Sequence, residues 1–481
     1  MSLRSVITYA AAVSLVGVYA AQSAHAQALA APADQTAQAA PADQAAPPPP
    51  PPKHPIWSGT PLGDIMFSGH TELGLSINPD DPKNNANFGQ PFTNGADAFR
   101  MNQTMLTVEH DTDSTQNFDY GFKFQGMYGT DARLTHFYNE WDRSTNSPYQ
   151  WDVNYLEGNI HSAIPGTSGV DVQIGEYATP LGYEVIDSTG NPFYSHSYIF
   201  TYGLPYKHTG VLGTFHVNDT VDVWLGWDTG VNDSFVGAKG NANGQLGHGI
   251  VGFGLNNLLG GNLTIIGLAH IGPENGEGSL LNGRPFNVDR DLREYYDANA
   301  VWKITDSLTS VTELNMVHDD AYHVTAGGAA QYMLYTLNDQ WTLGARAEAY
   351  VDQAKNGFTG FVCNYPGSED AVDGERNIPF SNVNSTNMGS GTNNGTYCGN
   401  GSSATTGTSY NVVYGEVTVG ATYTPTWPPL PGTWGLAIRP EARFDSIIGG
   451  SAHLDPFDVG ASGHGTKSSQ VTLAVDTTLS F

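Results

Sequence analysis

An all-β fold, and within it a transmembrane antiparallel β-barrel of about 16 strands with short periplasmic turns and long extracellular loops, is what this sequence predicts. Three observations carry the prediction. Charged residues are only 14% of the 481 and apolar residues 39%, below the roughly 25% and about 45–50% of soluble domains. From Met66 to Phe481 hydrophobicity alternates with a period of two residues, the signature of strands with two unlike faces. The connections between these segments alternate between tight and long.

The strands follow in order. Phe118, Tyr120, Phe122, Phe124 and Tyr128 alternate with Asp119, Lys123 and Gln125. Val221, Val223, Leu225 and Trp227 alternate with Asp222, Trp224, Gly226 and Asp228. Trp341, Leu343, Ala345, Ala347, Ala349 and Val351 alternate with Arg346, Glu348, Tyr350 and Asp352. Leu436, Ile438, Ala442 and Phe444 alternate with Arg439, Glu441 and Arg443. The chain ends on such a strand: Val471, Leu473, Val475, Leu479 and Phe481 alternate with Thr472, Asp476, Thr478 and Ser480. An open sheet edge cannot sit in hydrocarbon, so this last strand needs a partner.

Tight turns are predicted at Asp113–Thr115, Pro165–Thr167, Asn218–Asp219, Gly260–Asn262, Asp306–Ser307, Asn338–Asp339 and Pro428–Gly432. Their residues accept positive φ or preset it near −65°. Long polar loops are predicted at Pro79–Ala98, Asp131–Pro148, Gly182–Lys207, Asn232–Gly247, Pro273–Asp291, Asp319–Gly328, Asp352–Thr408 and Ile448–Lys467. Fifteen connections join 16 strands, and an even number suits a bacterial outer-membrane barrel. Phe118, Trp302, Trp341, Trp427 and Trp434 sit beside the tight turns, where an interfacial aromatic girdle belongs.

The N-terminus reads as an address. Arg4, an apolar stretch from Val6 to Ala21 and the A-x-A pattern Ala24 to Ala26 make residues 1–26 a secretory signal peptide. Residues 27–55, with prolines from Pro47 to Pro52, read as a disordered periplasmic tether. Residues 56–481 form the barrel. Beyond the N-terminus no apolar run approaches the ~20 residues of a spanning helix. The 47 acidic and 19 basic residues give a net charge of −28. That balance excludes nucleic acid as a partner, because phosphate backbones are bound by clustered bases. Without the signal peptide, 18 basic residues against 47 acidic ones give −29.

Catalytic chemistry finds no foothold. His110–Asp113 and His318–Asp320 lack the ligand count and spacing of zinc or EF-hand sites and read as turn residues. Gly247–Gly252 matches G-x-G-x-x-G without the strand and helix that motif needs. No G-x-S-x-G, H-E-x-x-H or C-x-x-C occurs. The chain is therefore expected not to be an enzyme and to need no cofactor or metal. Cys363 and Cys398 both fall in the longest loop, and an oxidising compartment favours a disulfide between them.

A barrel of this size leaves a water channel. Its charged lumen is assigned to Lys123, Asp222, Arg346, Glu348, Glu416, Arg439, Glu441 and Arg443, with Asp297, Lys303, Glu313, Tyr414 and Asp476 as further inward positions. The three arginines either form a basic wall facing carboxylates or are paired with Glu348 and Glu441. Acids are frequent in the loops: Asp80, Asp81, Glu140, Asp142, Glu184, Asp187, Glu274, Glu277, Asp319, Asp320, Glu369, Asp370 and Asp373. An acidic mouth concentrates cations, which predicts mild cation preference. The Tyr177–Tyr202 stretch is long, aromatic and lightly charged. Such a loop prefers a buried home. It is predicted to fold back and narrow the lumen through Glu184, Asp187, Phe193, Tyr194, His196 and Tyr198.

The same stretch carries a resemblance. Gly175, Tyr177, Thr179, Pro180, Gly182, Tyr183 and Glu184, then Asn191, Pro192, Tyr194 and Ser195, then His208, Thr209, Gly210 and Val211 resemble the β-barrel porins of the OmpL-like group. The resemblance runs from about Ser58 to Phe481, and its specific part is this central stretch. It implies an outer-membrane pore for small solutes with no assigned catalytic residues. The tether and the cysteine-bearing loop are not features of the group. The partners implied are outer-membrane lipid, small hydrophilic solutes or ions, and a possible homo-oligomer. The competing reading is a binding or adhesion barrel that acts through its long surface loops. A barrel hydrolase would need a His, a carboxylate and a Ser or metal converging at the rim. A TonB-dependent receptor needs a plug domain that residues 27–55 cannot hold.

Overall fold

The computed structural model describes residues 54–55, 64–137, 147–234, 247–274, 280–281, 284–285, 291–320, 324–354, 410–425, 435–450, 455–459 and 465–481, with 140 and 145. Sixteen long strands make the wall: β1 Met66–Ile77, β2 Ala98–His110, β3 Phe118–Gly129, β4 Gln150–Ser162, β5 Gly169–Ala178, β6 Lys207–His216, β7 Val221–Asp228, β8 His248–Asn257, β9 Leu263–Gly272, β10 Arg293–Thr305, β11 Leu308–Asp319, β12 Val324–Asn338, β13 Trp341–Ala354, β14 Tyr410–Tyr423, β15 Gly435–Gly450 and β16 Ser469–Ser480. Each pairs antiparallel with its sequence neighbours, and β16 pairs back onto β1, so the sheet is closed.

Closure is made at the last residue. Phe481 and Gly69 exchange two backbone hydrogen bonds of 2.9 Å. The Phe481 ring lies over Gly69, where a Cβ would meet it at 2.7 Å. Upstream, His54–Pro55 pairs with Phe67 and Met66, so the last two residues assigned to the tether add a short strand to β1.

The burial pattern inverts that of a soluble protein. Phe99, Phe118, Tyr120, Leu225 and Phe253 are exposed on the outer face, whereas His70, Glu72, Gln103, Asn154, Arg346, Arg439 and Asp476 are buried inside. Apolar-out, polar-in alternation is what a lipid-facing wall with an aqueous interior requires. Trp302 and Trp341 are exposed beside their turns, and Trp341 stacks on Tyr423 at 4.5 Å. A second set, Phe99 and Trp151, lies at the opposite end, with Trp151 4.6 Å from Tyr128.

One loop differs from the sequence reading. Asp319–Gly328 is not long: β12 begins at Val324, and Val324, Thr325 and Ala326 pair with Asp319, His318 and Val317. The glycines that suggested a loop lie inside the strand. Gly327 has φ +152°, and a Cβ there would meet the Asn315 carbonyl oxygen at 2.3 Å. They mark a gap in the pairing at unchanged register, between Leu314 opposite Ala329 and Val317 opposite Ala326. Residues 1–26, the cysteines Cys363 and Cys398, Trp427, Trp434, Asp142, Glu277, Glu369, Asp370 and Asp373 lie outside the described residues.

Candidate functional site

Residues 179–206 connect β5 to β6 and lie inside the barrel. Leu181, Tyr183, Glu184, Phe193, Tyr194, Tyr198, Ile199 and Phe200 are all buried. Apart from a three-residue 3₁₀ turn at Ser188–Gly190 and a π-helical turn at Ile199–Gly203, the segment has no regular structure. A buried irregular segment must find partners for its backbone polar groups outside itself.

The lumen wall supplies them. Carboxylates accept the loop's N–H groups. Gly182 donates to Asp297 (3.2 Å), Tyr183 to Glu313 (2.9 Å), and Tyr194 and Ser195 to Glu441 (2.9 and 3.2 Å). Tyr198 and Ile199 donate to the two oxygens of Glu348 at 2.6 and 2.7 Å. Arginines donate to the loop's carbonyls. Arg346 reaches Ser195 (2.8 Å), Arg439 reaches Ser188 and Asn191 (2.8 and 2.6 Å), and Arg443 reaches His196 (2.5 Å). Gln103 binds both ways, accepting from Ser188 N–H at 3.1 Å and donating to the Ile186 carbonyl at 2.7 Å.

Ion pairs fix the wall groups in turn. Arg346 donates to Glu416 at 2.6 Å and to the loop's own Glu184 at 2.7 Å. Arg439 pairs with Asp476 and with Glu72 (2.9 Å), and Arg443 with Asp445 (2.8 Å). Burial alone would raise the Glu184 carboxyl. The Arg346 guanidinium, the His196 ring at 2.8 Å and the Ser197 N–H outweigh it and hold Glu184 down at about 2. Burial would likewise raise Asp187, but the nearby His70 and the hydroxyl and N–H of Thr189 hold it below the usual carboxylate range.

Rings complete the seat. Phe193 lies under the Arg346 guanidinium (5.3 Å) and Tyr198 under Arg443 (5.0 Å). His196 stacks on Phe200 at 4.1 Å. The loop of residues 78–97 packs above: Phe92 lies 4.6 Å from His196, and Gln90 donates to Asp445 at 2.7 Å.

Five assigned lumen residues, Arg346, Glu348, Arg439, Glu441 and Arg443, therefore bind the loop directly and Glu416 holds Arg346, whereas Asp187 of the loop faces His70 and Gln125 instead. These lumen residues face inward, but the loop covers them. The arginines are 1%, 2% and 1% exposed, so they do not present a bare basic wall. Nor are they paired with Glu348 and Glu441, whose oxygens hold loop N–H groups instead. Lys123 and Asp222 stand apart. Lys123 lies over the Tyr155 ring at 4.0 Å. Asp222, near the short turns, binds His216 (2.7 Å) and Asn256 (2.6 Å). Lys303 is exposed at that same rim. Glu184 and Asp187 belong to the loop inside the lumen and not to an acidic mouth. Asp319 is buried against Arg293 at 3.0 Å. Glu72, Gln103 and Asp445 carry anchoring bonds that sequence reasoning did not assign, although the period-two pattern already places Asp445 inward beside Arg443.

The sequence matches the family described as "Putative beta-barrel porin-2, OmpL-like" over residues 64–481. The chain belongs to this family. No curated protein matches it. Among solved structures, this OmpL-like barrel is similar to the high-pH structure of OprB from Pseudomonas putida, with 10% identity over 87% of this chain and 94% of that one, and a TM-score of 0.50. The outer membrane channel DcaP of Acinetobacter baumannii aligns at 11% identity, 87% and 97% coverage and TM-score 0.46. An anion-selective porin from Comamonas acidovorans aligns at 10% identity, 87% and 99% coverage and TM-score 0.44. At such identities the likeness is one of fold: a porin-like outer-membrane barrel.

Proposed function

We propose that this porin-family barrel is a passive diffusion channel for small hydrophilic solutes or ions, without enzymatic activity, and that residues 179–206 form its constriction. The observation that supports this is the binding of the loop backbone by the wall: carboxylates take its N–H groups and arginines take its carbonyls. Preorganised anchoring of this kind holds a loop at a fixed depth in the barrel.

Mild cation preference follows from which charges remain accessible. The three lumen arginines are buried in ion pairs, whereas Asp80 and Asp81 on the loop of residues 78–97, and Asp320 at the end of β11, keep solvent exposure beside Lys467, Lys83 and His318. Exposed acids raise local cation concentration, and more so at low salt. The test is the purified full chain in a planar bilayer under a salt gradient. Discrete conductance steps with a reversal potential of cation sign support the reading. A clear anion sign removes the selectivity claim. Absence of any conductance favours a closed barrel acting through its surface loops.

A further inference from the structure

Three strands at the long-loop end bring together side chains distant in sequence. His208 (β6), Asp228 (β7) and His270 (β9) offer one ligand atom each, and these atoms all lie within 4.8 Å of one another. All three side chains are 0% exposed. We propose that His208, Asp228 and His270 form a binding site for a divalent transition ion of the zinc class, seated in the lumen wall beside the start of the inserted loop.

The hydrogen-bond count leaves two facing buried atoms without a partner. His270 Nε2 lies 3.0 Å from Asp228 Oδ1, a hydrogen bond that an ion bound at both atoms would replace. His208 Nδ1 lies 3.4 Å from Asp228 Oδ2, and neither atom has a hydrogen-bond partner. A fully buried carboxylate oxygen with no donor is costly, and so is a buried imidazole nitrogen left alone. One cation placed between them satisfies both. Two imidazole nitrogens and a carboxylate oxygen are a familiar zinc donor set, with bonds of about 2.0–2.1 Å. A tetrahedron of such bonds has edges of about 3.3 Å; each imidazole lies near that distance from one Asp228 oxygen, His270 from Oδ1 and His208 from Oδ2, and the three donors lie within 4.8 Å of one another.

The surroundings suit a metal ligand. His208 Nε2 lies 3.0 Å from the Thr179 hydroxyl, the outer contact that orients a ligating imidazole. His248 stacks beside His270 at 6.1 Å, with its Nδ1 also unpartnered. The barrel holds an internal contrast. Near the short turns, His216 bonds both ring nitrogens, to Asp171 (2.9 Å) and Asp222 (2.7 Å), and His161 bonds Asp171 at 2.6 Å. That chain of bonds is complete in itself and asks for no ion.

The test uses the full chain purified in detergent, stripped with chelator, loaded with zinc chloride and dialysed, with metal per chain read by mass spectrometry. The wild type should retain one zinc. H208Q and H270Q should retain none, and H161Q/H216Q should retain it. T179V should weaken retention about 10–100-fold. Heat-modifiable migration confirms that each variant is folded. Should the histidine variants not fold, zinc-edge X-ray absorption on the wild type decides: imidazole scattering from at least two ligands supports the site. No zinc retained by the wild type, undiminished retention in folded H270Q, or a spectrum without imidazole would each overturn the proposal.

Discussion

Two parts of the lumen wall use the same residue types for different ends. On β10, β11, β13 and β15, inward charges bind the backbone of the inserted loop. Arg346, Arg439, Glu348 and Glu441 are buried, and each touches residues 179–206. On β3 to β7, near the short turns, charges bind one another along the wall and stay partly open to water. Asp171 and His216 keep side-chain exposures of 33% and 19% while bonded to each other. An inward charge is therefore not by itself a pore charge. Where a loop lies over the wall, charges become its mounting. Where nothing lies over it, they remain available to a permeating ion.

The sharpest way to break this comparison is to remove one mounting charge. Arg346→Ala takes the guanidinium from Glu184 and Glu416, both 2% exposed, leaving as ion-pair partners only the His196 ring for Glu184 and only Arg443 at 3.8 Å for Glu416. Removing one partner of a buried pair costs about 3–5 kcal/mol. Denaturant unfolding should show a loss of that size, and single-channel current should become noisy as the loop loosens. An unchanged midpoint would mean that the pair is not a mounting at all.

Acid offers a second route. Glu184 sits at about 2, against an ordinary value of 4.5. Its folded value is depressed, so its contribution is fully present above pH 4.5 and is lost as pH falls toward 2. Limited proteolysis of the loop should be negligible at pH 7 and rise between pH 4.5 and 2. Cleavage independent of pH across that window contradicts the role given to Glu184.

Smaller effects sharpen the contrast. Tyr198→Phe removes one hydroxyl that donates to Asp445 at 2.8 Å. A hydrogen bond to a charged group contributes about 1.5–3 kcal/mol, so this variant should destabilise less than Arg346→Ala and keep the loop in place. Lys123→Gln, on the unmounted side, should leave stability within about 1 kcal/mol, the scale of a cation–π contact. It should still move the reversal potential toward stronger cation preference. A large stability loss there would erase the distinction between the two regions.

The fold was legible because alternation is a local signal. Phe118 to Tyr128 and Val471 to Phe481 show their outward faces without any knowledge of neighbours. The loop's burial was legible too, since Phe193, Tyr194, Tyr198 and Phe200 in one lightly charged segment need a buried home. Partner choice was not. Arg346 and Glu348 share a face, yet Arg346 reaches Glu416 across the strand pair, because Glu416 lies opposite Glu348 and diagonal to Arg346. Strand register decides that, and a single strand does not display it. The same limit hid His208, Asp228 and His270, which no spacing rule links. The Gly327–Gly328 pair misled for the opposite reason: it carries a loop's composition inside a strand.

The central claim is that the mounted loop sets the width of the channel. Deleting Asp187 to Tyr198 removes the carbonyls held by Arg439 and Arg346 and the N–H groups held by Glu441. Single-channel conductance of this deletion against the full chain, at equal salt, tests the claim most directly. The account predicts a clear rise in conductance with the barrel still heat-modifiable. An unchanged conductance in a folded barrel would contradict it.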